Sequence, residues 1–422
     1  MTRGRRLRRV LLDTAPLRLD RDYRWLWTGQ AINGIGTQIT RVALPYQVYV
    51  LTGSTLAVAA LTAVQLVPIL LFALGAGSVA DAVDRRRLLL VTQLGLLACS
   101  VALVGLSLLP ATPLLALFAV AFVAAALTSI DQPARSSSIA RLVPPERLPS
   151  AIALNQLNFQ SASVIGPAIG GGLIATVGLP GAYVADVLSF SAALAGVLAI
   201  APLPPLTAVS RPGLAAIREG LRFVGGRRVI LSSFVIDLNA MVFGMPTALF
   251  PALALDVFRV GPGGLGLLAA APAAGAFLGA LLSGWISRVR RTGLAVIAAV
   301  AVWGGAIALF GLSTFSFPLA LFFLGIAGAA DVLSAVFRAT IVQLESPDEL
   351  RGRVTSIHTL VVTSGPRIGD IEAATVGAII GPQLSVISGG VLCVIGVAVV
   401  AMVYPELARH RTTTETPTAA PA

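Results

Sequence analysis

Eight ionisable side chains lie inside apolar stretches that are long enough to cross a membrane, and their types could support chemistry there. They are Arg41, Asp131, Asp186, Asp237, Asp331, Arg367, Asp370 and Glu372. A charged side chain at the centre of a bilayer costs about 2.5–3.5 kcal/mol on insertion scales, so each one must face protein or water. Intramembrane carboxylates of this kind mark ion pathways and proton relays.

Arg367 and Asp370 have the most informative spacing of the eight. Three residues apart on a helix, they occupy neighbouring positions of one face, whereas Glu372 points away and forms a separate site. Pairing lowers the cost of burying either charge. We predict that protonation of Asp370 releases Arg367, which would make the pair a proton-driven switch. In the alternative, Asp237 carries the proton and the pair is a static contact.

The elements that position these residues are predicted membrane helices. Hydrophobic residues make up 56% of the 422 residues, charged residues only 12%, and the mean hydropathy is +0.88. Apolar runs of membrane length recur along the chain, which predicts an all-α polytopic membrane protein with twelve transmembrane helices. The predicted spans are 25–50, 54–80, 88–109, 113–133, 150–175, 180–201, 228–255, 263–287, 292–313, 315–337, 353–380 and 382–404.

The arginines predict how the chain is oriented in the membrane. With these spans, 27 of the 30 arginines fall on one side, Arg259 falls on the other, and Arg41 and Arg367 fall within spans. Cytoplasmic loops carry the excess of basic residues, so both termini are predicted to be cytoplasmic. The predicted parts are a cytoplasmic N-terminal tail 1–24, a six-helix bundle 25–201, a cytoplasmic linker loop 202–227 with an amphipathic helix, a second six-helix bundle 228–404 and a disordered cytoplasmic tail 405–422.

The composition also argues against several classes of function. The net charge of +11 is spread over many short loops, so nucleic-acid binding is not predicted. Cys99 and Cys393 lie inside apolar segments, where they are interpreted as small buried residues and not as a disulfide or a metal site. The chain has no lysine and therefore no Gly-Lys-Ser/Thr phosphate-binding loop. No paired His/Glu or Ser/His constellation indicates an enzyme.

The densest charge cluster inside the apolar part is the segment 77–87, between the second and third spans. Unpaired charge is expensive in hydrocarbon, so this turn must lie at a water face. Gly77, Asp81, Arg85 and Arg86 resemble the loop 2–3 signature of the major facilitator superfamily, although Asp84 stands at the usual glycine. The resemblance implies that this segment is a cytoplasmic gate in which Asp81 pairs with arginines.

An internal repeat extends the resemblance over the whole chain. The segment 135–148, which ends the fourth span, aligns with 338–350, which ends the tenth, and Asp131 and Asp331 lie just upstream. A parallel repeat of six plus six helices is the architecture of the major facilitators. The chain is therefore identified as a member of that superfamily, with two six-helix pseudo-repeats.

A glycine-rich motif in the fifth span indicates the direction of transport. Gly166, Pro167, Gly170 and Gly171 resemble the antiporter motif Gly-Pro-x-x-Gly-Gly. The proline lacks an N–H and kinks the helix, and the glycines let another helix approach closely. The family motif implies export by proton exchange, while generic packing of small residues is the alternative.

Segments 237–243, 250–254 and 365–370 resemble the enterobactin-exporter branch, whose relatives include multidrug exporters. The expected function is proton-antiport efflux of a siderophore or an amphipathic drug-like molecule across the cytoplasmic membrane. The expected partners are this small-molecule substrate and membrane lipids; a monomer is expected, with no cofactor beyond the proton gradient. Two alternatives remain, a multidrug pump without a siderophore role and a non-transporting sensor or lipid-handling protein.

The resemblance also implies that spans 1, 4, 7 and 10 line the substrate cavity. The candidate cavity residues are Thr37, Gln38, Asn239, Asp131 and Asp331, with Arg41 and Asp237 as charge-coupling candidates beside them. Asp131 and Asp331 lie within two turns of the predicted cytoplasmic end. Salt bridges to loop arginines are therefore the favoured role for these two carboxylates.

Overall fold

The computed structural model describes residues 13–73, 83–204 and 214–411, and within these ranges the chain is helical, without strands. The helices are α1 Ala15–Leu19, α2 Arg21–Thr52, α3 Thr55–Ala73, α4 Arg85–Ser107, α5 Leu114–Leu142, α6 Leu148–Leu198, α7 Leu214–Gly226, α8 Arg228–Phe243, α9 Gly261–Leu281, α10 Thr292–Leu312, α11 Phe317–Glu345, α12 Asp348–Ile380, α13 Pro382–Val403 and α14 Pro405–Arg409. Shorter helical turns are Pro145–Arg147, Thr247–Leu249, Phe250–Ala252, Leu253–Val257 and Ser283–Arg288.

Three of the predicted short outer turns are made by glycines in the left-handed region of backbone space. Gly53 ends α2 with φ 61°, Gly178 breaks α6 with φ 76°, and Gly381 separates α12 from α13 with φ 92°. A side chain at such φ values is strained, whereas glycine adopts them freely. These glycines therefore explain how membrane-length helices reverse direction within very few residues.

Nine helical segments of the described chain are long and apolar enough to cross a membrane. One of them, Pro145–Leu198, contains two predicted spans because Gly178 breaks it. The more polar helices α2 and α12 cover predicted spans 1 and 11. The described helices are thus consistent with twelve spans.

Two helices continue well beyond the apolar runs that predicted them. Helix α5 reaches Leu142 and α11 reaches Glu345, so Arg135 and Arg338 are helical residues. The interpretation of Arg338 as a loop arginine is wrong, because its side chain is buried inside α11. The similar segments 135–148 and 338–350 thus each begin inside a helix and contain its C-terminal end.

The described helices belong to two compact units of the chain. The first comprises Met1–Arg211 and Phe250–Ala270, and the second comprises Pro212–Leu249 and Ala271–Ala422. Segment 250–270 joins the first unit partly because Tyr49 of α2 donates a hydrogen bond to Asp256. The boundaries of the two six-helix bundles stay a prediction.

A helix occupies the end of the predicted linker. Helix α7, Leu214–Gly226, covers the predicted amphipathic stretch, and its Glu219 pairs with Arg353 of α12 at 2.5 Å. Both of these side chains are exposed, so the ion pair is a surface contact of modest strength.

Candidate functional site

The most deeply buried ion pair of the described chain joins α8 to α11 in the second unit. Arg338 Nη2 lies 2.7 Å from Asp237 Oδ1, and the two side chains are 2% and 0% exposed. Arg338 Nη1 also donates a hydrogen bond to Ser334 Oγ at 2.8 Å. Removing one partner of such a pair strands the other charge and costs about 3–5 kcal/mol.

This ion pair leaves hydrogen-bonding capacity unused. Within the described residues, neither Asp237 carboxylate oxygen receives an aligned hydrogen bond, and Arg338 Nε finds no acceptor. The hydroxyl of Ser233, one turn before Asp237, is likewise buried without a partner among them. Buried polar groups are nearly always satisfied, so this cluster is a place where a proton or water would add the missing contacts.

Two further titratable side chains lie within electrostatic range of the same guanidinium. Asp331 lies two turns before Arg338 on α11, is half-buried, and is within electrostatic range of both Arg338 and Asp237. His358 of α12 is within electrostatic range of Arg338, and its ring lies 5.6 Å from the Phe234 ring, centroid to centroid. The structure therefore brings together two carboxylates, one guanidinium and one imidazole.

In the first unit, Asp131 is buried but well satisfied. Its carboxylate pairs with Arg135, one turn on in α5, and accepts hydrogen bonds from Thr92 Oγ1 at 2.7 Å and Gln93 Nε2 at 3.0 Å. Both of the latter donors come from α4. The arginine partner is a residue of the same helix, and the contacts tie α5 to α4.

The predicted cavity residues of α2 have different surroundings. Gln38 Nε2 donates to Ser163 Oγ of α6 at 2.8 Å, and Thr37 is half-buried. The side chain of Arg41 is exposed, although it lies far from both ends of the 32-residue helix. Inside a predicted membrane span, such a guanidinium must face water or a polar ligand rather than lipid.

The coupled pair predicted in α12 has other partners. The Asp370 carboxylate accepts hydrogen bonds from Thr247 Oγ1 and from the Ala248 N–H at 2.8 Å, whereas Arg367 Nη1 donates to the Thr363 carbonyl at 2.6 Å. Asp370 thus anchors the turn that follows α8. Glu372 is half-buried on the same helix. A switch between Arg367 and Asp370 stays a prediction.

Two other polar residues of the spans act as helix contacts. Asn239, expected near the cavity, lies two residues after Asp237 on α8. Its Nδ2 donates a hydrogen bond to the Cys393 carbonyl of α13 at 3.0 Å. The buried Asp186 accepts from Thr40 Oγ1 and Ser100 Oγ, each at 2.7 Å. Asp186 thereby joins α6 to α2 and α4.

The predicted gate motif is only partly visible. Gly77 and Asp81 lie outside the described residues. Asp84 caps α4 by accepting from the Arg87 N–H at 3.0 Å, which gives a physical role to the acidic residue at the usual glycine position. Arg85 is buried, and Arg86 Nη2 donates to the Leu198 carbonyl at 2.7 Å at the end of α6.

The antiporter-like motif lies where helices of the first unit approach closely. A side chain added at Gly166 would meet Gln38 Cβ at 2.5 Å, and one at Gly170 would meet Ile39 Cα at 3.1 Å. At Gly171 it would meet the backbone of Gly266, at the start of α9, at 2.7 Å. Pro167 lies inside α6. The motif therefore packs α6 against α2 and α9 through backbone surfaces.

Arg338 is the residue of the site that the sequence analysis missed. The apolar run ended at residue 337, which placed Arg338 in a loop. Its spacing of seven from Asp331 was an available signal, because residues seven apart share a helix face. Among the described residues, no group of three or more His, Cys, Asp or Glu side chains is placed to hold a metal ion.

Membrane-length helices that bury charged pairs define a polytopic all-α membrane protein, and solved structures share this fold. A POT family transporter in complex with a thioalcohol conjugated peptide aligns with a TM-score of 0.73 at 12% identity, over 92% of this chain and 96% of that one. A bacterial homologue of the iron transporter ferroportin in the inward-facing state aligns with a TM-score of 0.70 at 17% identity, over 92% and 99%. These likenesses establish the fold and no more.

The chain belongs to the MFS_3 family of major facilitators, described as "Transmembrane secretion effector", whose model matches residues 13–419. It is 29% identical to the enterobactin exporter EntS of Shigella boydii serotype 18 (strain CDC 3083-94 / BS512) over 413 residues, 96% of each chain. It is 28% identical to EntS of Escherichia coli O81 (strain ED1a), again over 413 residues and 96% of each chain. The predicted all-α major facilitator fold is therefore confirmed.

Proposed function

We propose that this protein is a secondary active exporter that exchanges protons for a small amphipathic molecule across the cytoplasmic membrane, with both termini in the cytoplasm. The proposed substrate class is a catecholate siderophore such as enterobactin. The full-length similarity to proteins named enterobactin exporters supports the direction and the substrate class. The distribution of arginines supports the orientation.

The observation that carries the proton coupling is the buried pair of Asp237 and Arg338. A carboxylate that is 0% exposed and lacks aligned hydrogen bonds is stable either as an ion paired with the guanidinium or as a neutral acid. Protonation would release Arg338 from Asp237. A change in this contact alters how α8 and α11 pack, which gives proton binding a mechanical consequence.

Substrate recognition is assigned to the polar residues of α2. Arg41 presents an exposed guanidinium, and Gln38 lies one turn away on the same face. Catechols carry acidic hydroxyl groups, and a guanidinium donates several hydrogen bonds to such oxygens in a fixed geometry. The Arg367–Asp370 pair and the loop carrying Gly77 and Asp81 are proposed to serve coupling and gating.

An export assay in whole cells tests the proposal. A bacterial host that makes enterobactin but lacks its own exporter is complemented with this chain or with the Arg41→Gln or Asp237→Asn variant, at matched membrane protein levels. We expect the wild-type chain to restore enterobactin in the medium and both variants to fall by tenfold or more. Equal secretion with the wild-type chain and the empty vector would reject enterobactin export.

The matched control for this assay is Arg353→Gln. Arg353 is also a partner in an ion pair, but that pair is exposed near the start of α12. If Arg353→Gln secretes enterobactin normally while Asp237→Asn does not, the loss follows from the buried site and not from removing any charge pair.

A further inference from the structure

The buried cluster of Asp237, Asp331 and Arg338 contains more acids than bases, which bears on where a proton binds. Asp237 and Asp331 offer two carboxylates, whereas Arg338 offers one guanidinium. With both acids ionised, the cluster carries one unbalanced negative charge in a region largely shielded from water. Binding one proton to either acid makes the cluster neutral. Like charges held close together cannot both remain ionised at low cost.

The Asp237 and Asp331 carboxylates both lie in the neighbourhood of the Arg338 guanidinium. Arg338 contacts Asp237 through Nη2, and its Nη1 points to Ser334, which lies between Asp331 and Arg338 on α11. Asp331, Ser334 and Arg338 are spaced by three and four residues, so they share one face of the helix. The guanidinium therefore lies on the same helix face as Asp331 while it contacts Asp237 of α8.

The two acids differ in exposed surface, and few other charged groups lie near them. Asp237 is fully buried, whereas Asp331 is half-buried. Among the helices packed against α8, α11 brings Asp331 and Arg338 to this site and α12 brings His358, while α10 and α13 carry no charged side chain. The charged residues Glu219 of α7 and Glu406 of α14 are paired with Arg353 and Arg228. Asp331, Arg338 and His358 are therefore the charged or titratable groups that share this site with Asp237.

We propose that Asp237 and Asp331 share a single proton around Arg338, so that one acid is neutral while the other is paired with the guanidinium. The shared proton resides on whichever acid Arg338 does not contact. This assignment rests on the proposed function only for its use in antiport. The sharing itself is a property of the protein without substrate.

Infrared difference spectroscopy of the purified protein in detergent tests the sharing directly, because a protonated carboxyl has a C=O stretch that a carboxylate lacks. The spectra compare the wild-type protein with Asp237→Asn, Asp331→Asn and Arg338→Gln at neutral pH. Sharing predicts that either aspartate substitution removes the same carboxyl band, because the remaining acid then has Arg338 to itself. Arg338→Gln should instead double the band, since both acids must be neutral without the cation.

Other infrared results would contradict a shared proton. A proton fixed on Asp331 is distinguished from a shared one by Asp237→Glu, which keeps both acids and shifts the C=O band only if the proton also visits residue 237. A band that survives both aspartate substitutions would overturn the assignment. Glu345→Gln, near the end of the same helix, is the control and should leave the band unchanged. If the buried Asp237→Asn variant does not fold, Asp237→Glu and Asp331→Glu decide: sharing predicts that each shifts the band, whereas a shift in only one of them overturns sharing.

The infrared experiment and the export assay can reject the shared proton and the proposed function independently. If enterobactin is not exported but the band behaves as predicted, the substrate class is wrong and the shared proton stands. If export is proton-driven but the band persists in Asp331→Asn, the antiporter stands and the shared proton is rejected.

Discussion

Replacing Arg338 with glutamine removes the only guanidinium that the described structure places against Asp237. The carboxylate stays 0% exposed and loses its ion pair, and Ser334 loses the Nη1 donor at 2.8 Å. Breaking one side of a buried pair costs about 3–5 kcal/mol, which is roughly two to four powers of ten in the ratio of folded to unfolded protein. We therefore expect the apparent melting temperature to fall on the order of 10 °C.

The assay is thermal unfolding of the purified protein in detergent, followed by intrinsic fluorescence, for three variants. Arg353→Gln removes an exposed pair with Glu219 and should change the melting temperature by no more than about 2 °C, because surface pairs contribute about 0–1 kcal/mol. The double variant Asp237→Asn with Arg338→Gln should be more stable than Arg338→Gln alone, because residue 237 is then neutral without having to bind a proton. Equal melting of Arg338→Gln and Arg353→Gln would refute the reasoning.

Three further predictions concern other parts of the chain. Gly171→Ala should cost about 1–3 kcal/mol and impair folding or export, because the new Cβ would lie 2.7 Å from Gly266, whereas Gly172→Ala should be neutral because open space surrounds that position; melting and export of the two variants are compared. Asp370→Ala should lower the melting temperature by several degrees, because the Thr247 hydroxyl and the Ala248 N–H lose their acceptor; an unchanged value would remove the anchoring role. The hydrogen bond from Arg228 lowers the pKa of Glu406, so this contact stabilises the fold above the usual carboxyl pKa and is lost as the pH falls through the lowered one; Glu406→Gln should remove that small acid-side dependence from a series of melting curves.

Much of the fold was predictable because membrane helices follow from local properties of the chain. Apolar runs set the spans, and Gly178 and Gly381 mark reversals because only glycine adopts their backbone angles at low cost. The ends of α5 and α11 were not predictable in this way. These helices continue past the apolar runs because their last turns bury polar contacts, as Arg338 does against Asp237.

The site was predictable in its ingredients but not in its pairings. Every ionisable residue in a span had to be placed against protein or water, which singled out Asp237 and Asp370 from sequence alone. Their partners are remote in sequence, Arg338 for the first and Thr247 for the second. Asp370 also accepts hydrogen bonds from Thr247 and Ala248, which its spacing from Arg367 could not reveal, and the coupling of Arg367 with Asp370 stays a prediction.

The central claim is that this protein exchanges protons for its substrate, and everted membrane vesicles test it most directly. Respiration acidifies the lumen of such vesicles, and a pH-sensitive fluorophore reports the proton gradient while enterobactin is added outside. The account predicts that enterobactin enters the lumen and partly dissipates the gradient with the wild-type chain, and does neither with Asp237→Asn. Uptake of enterobactin that persists after the proton gradient is collapsed by an uncoupler, or uptake that releases no protons, would contradict it.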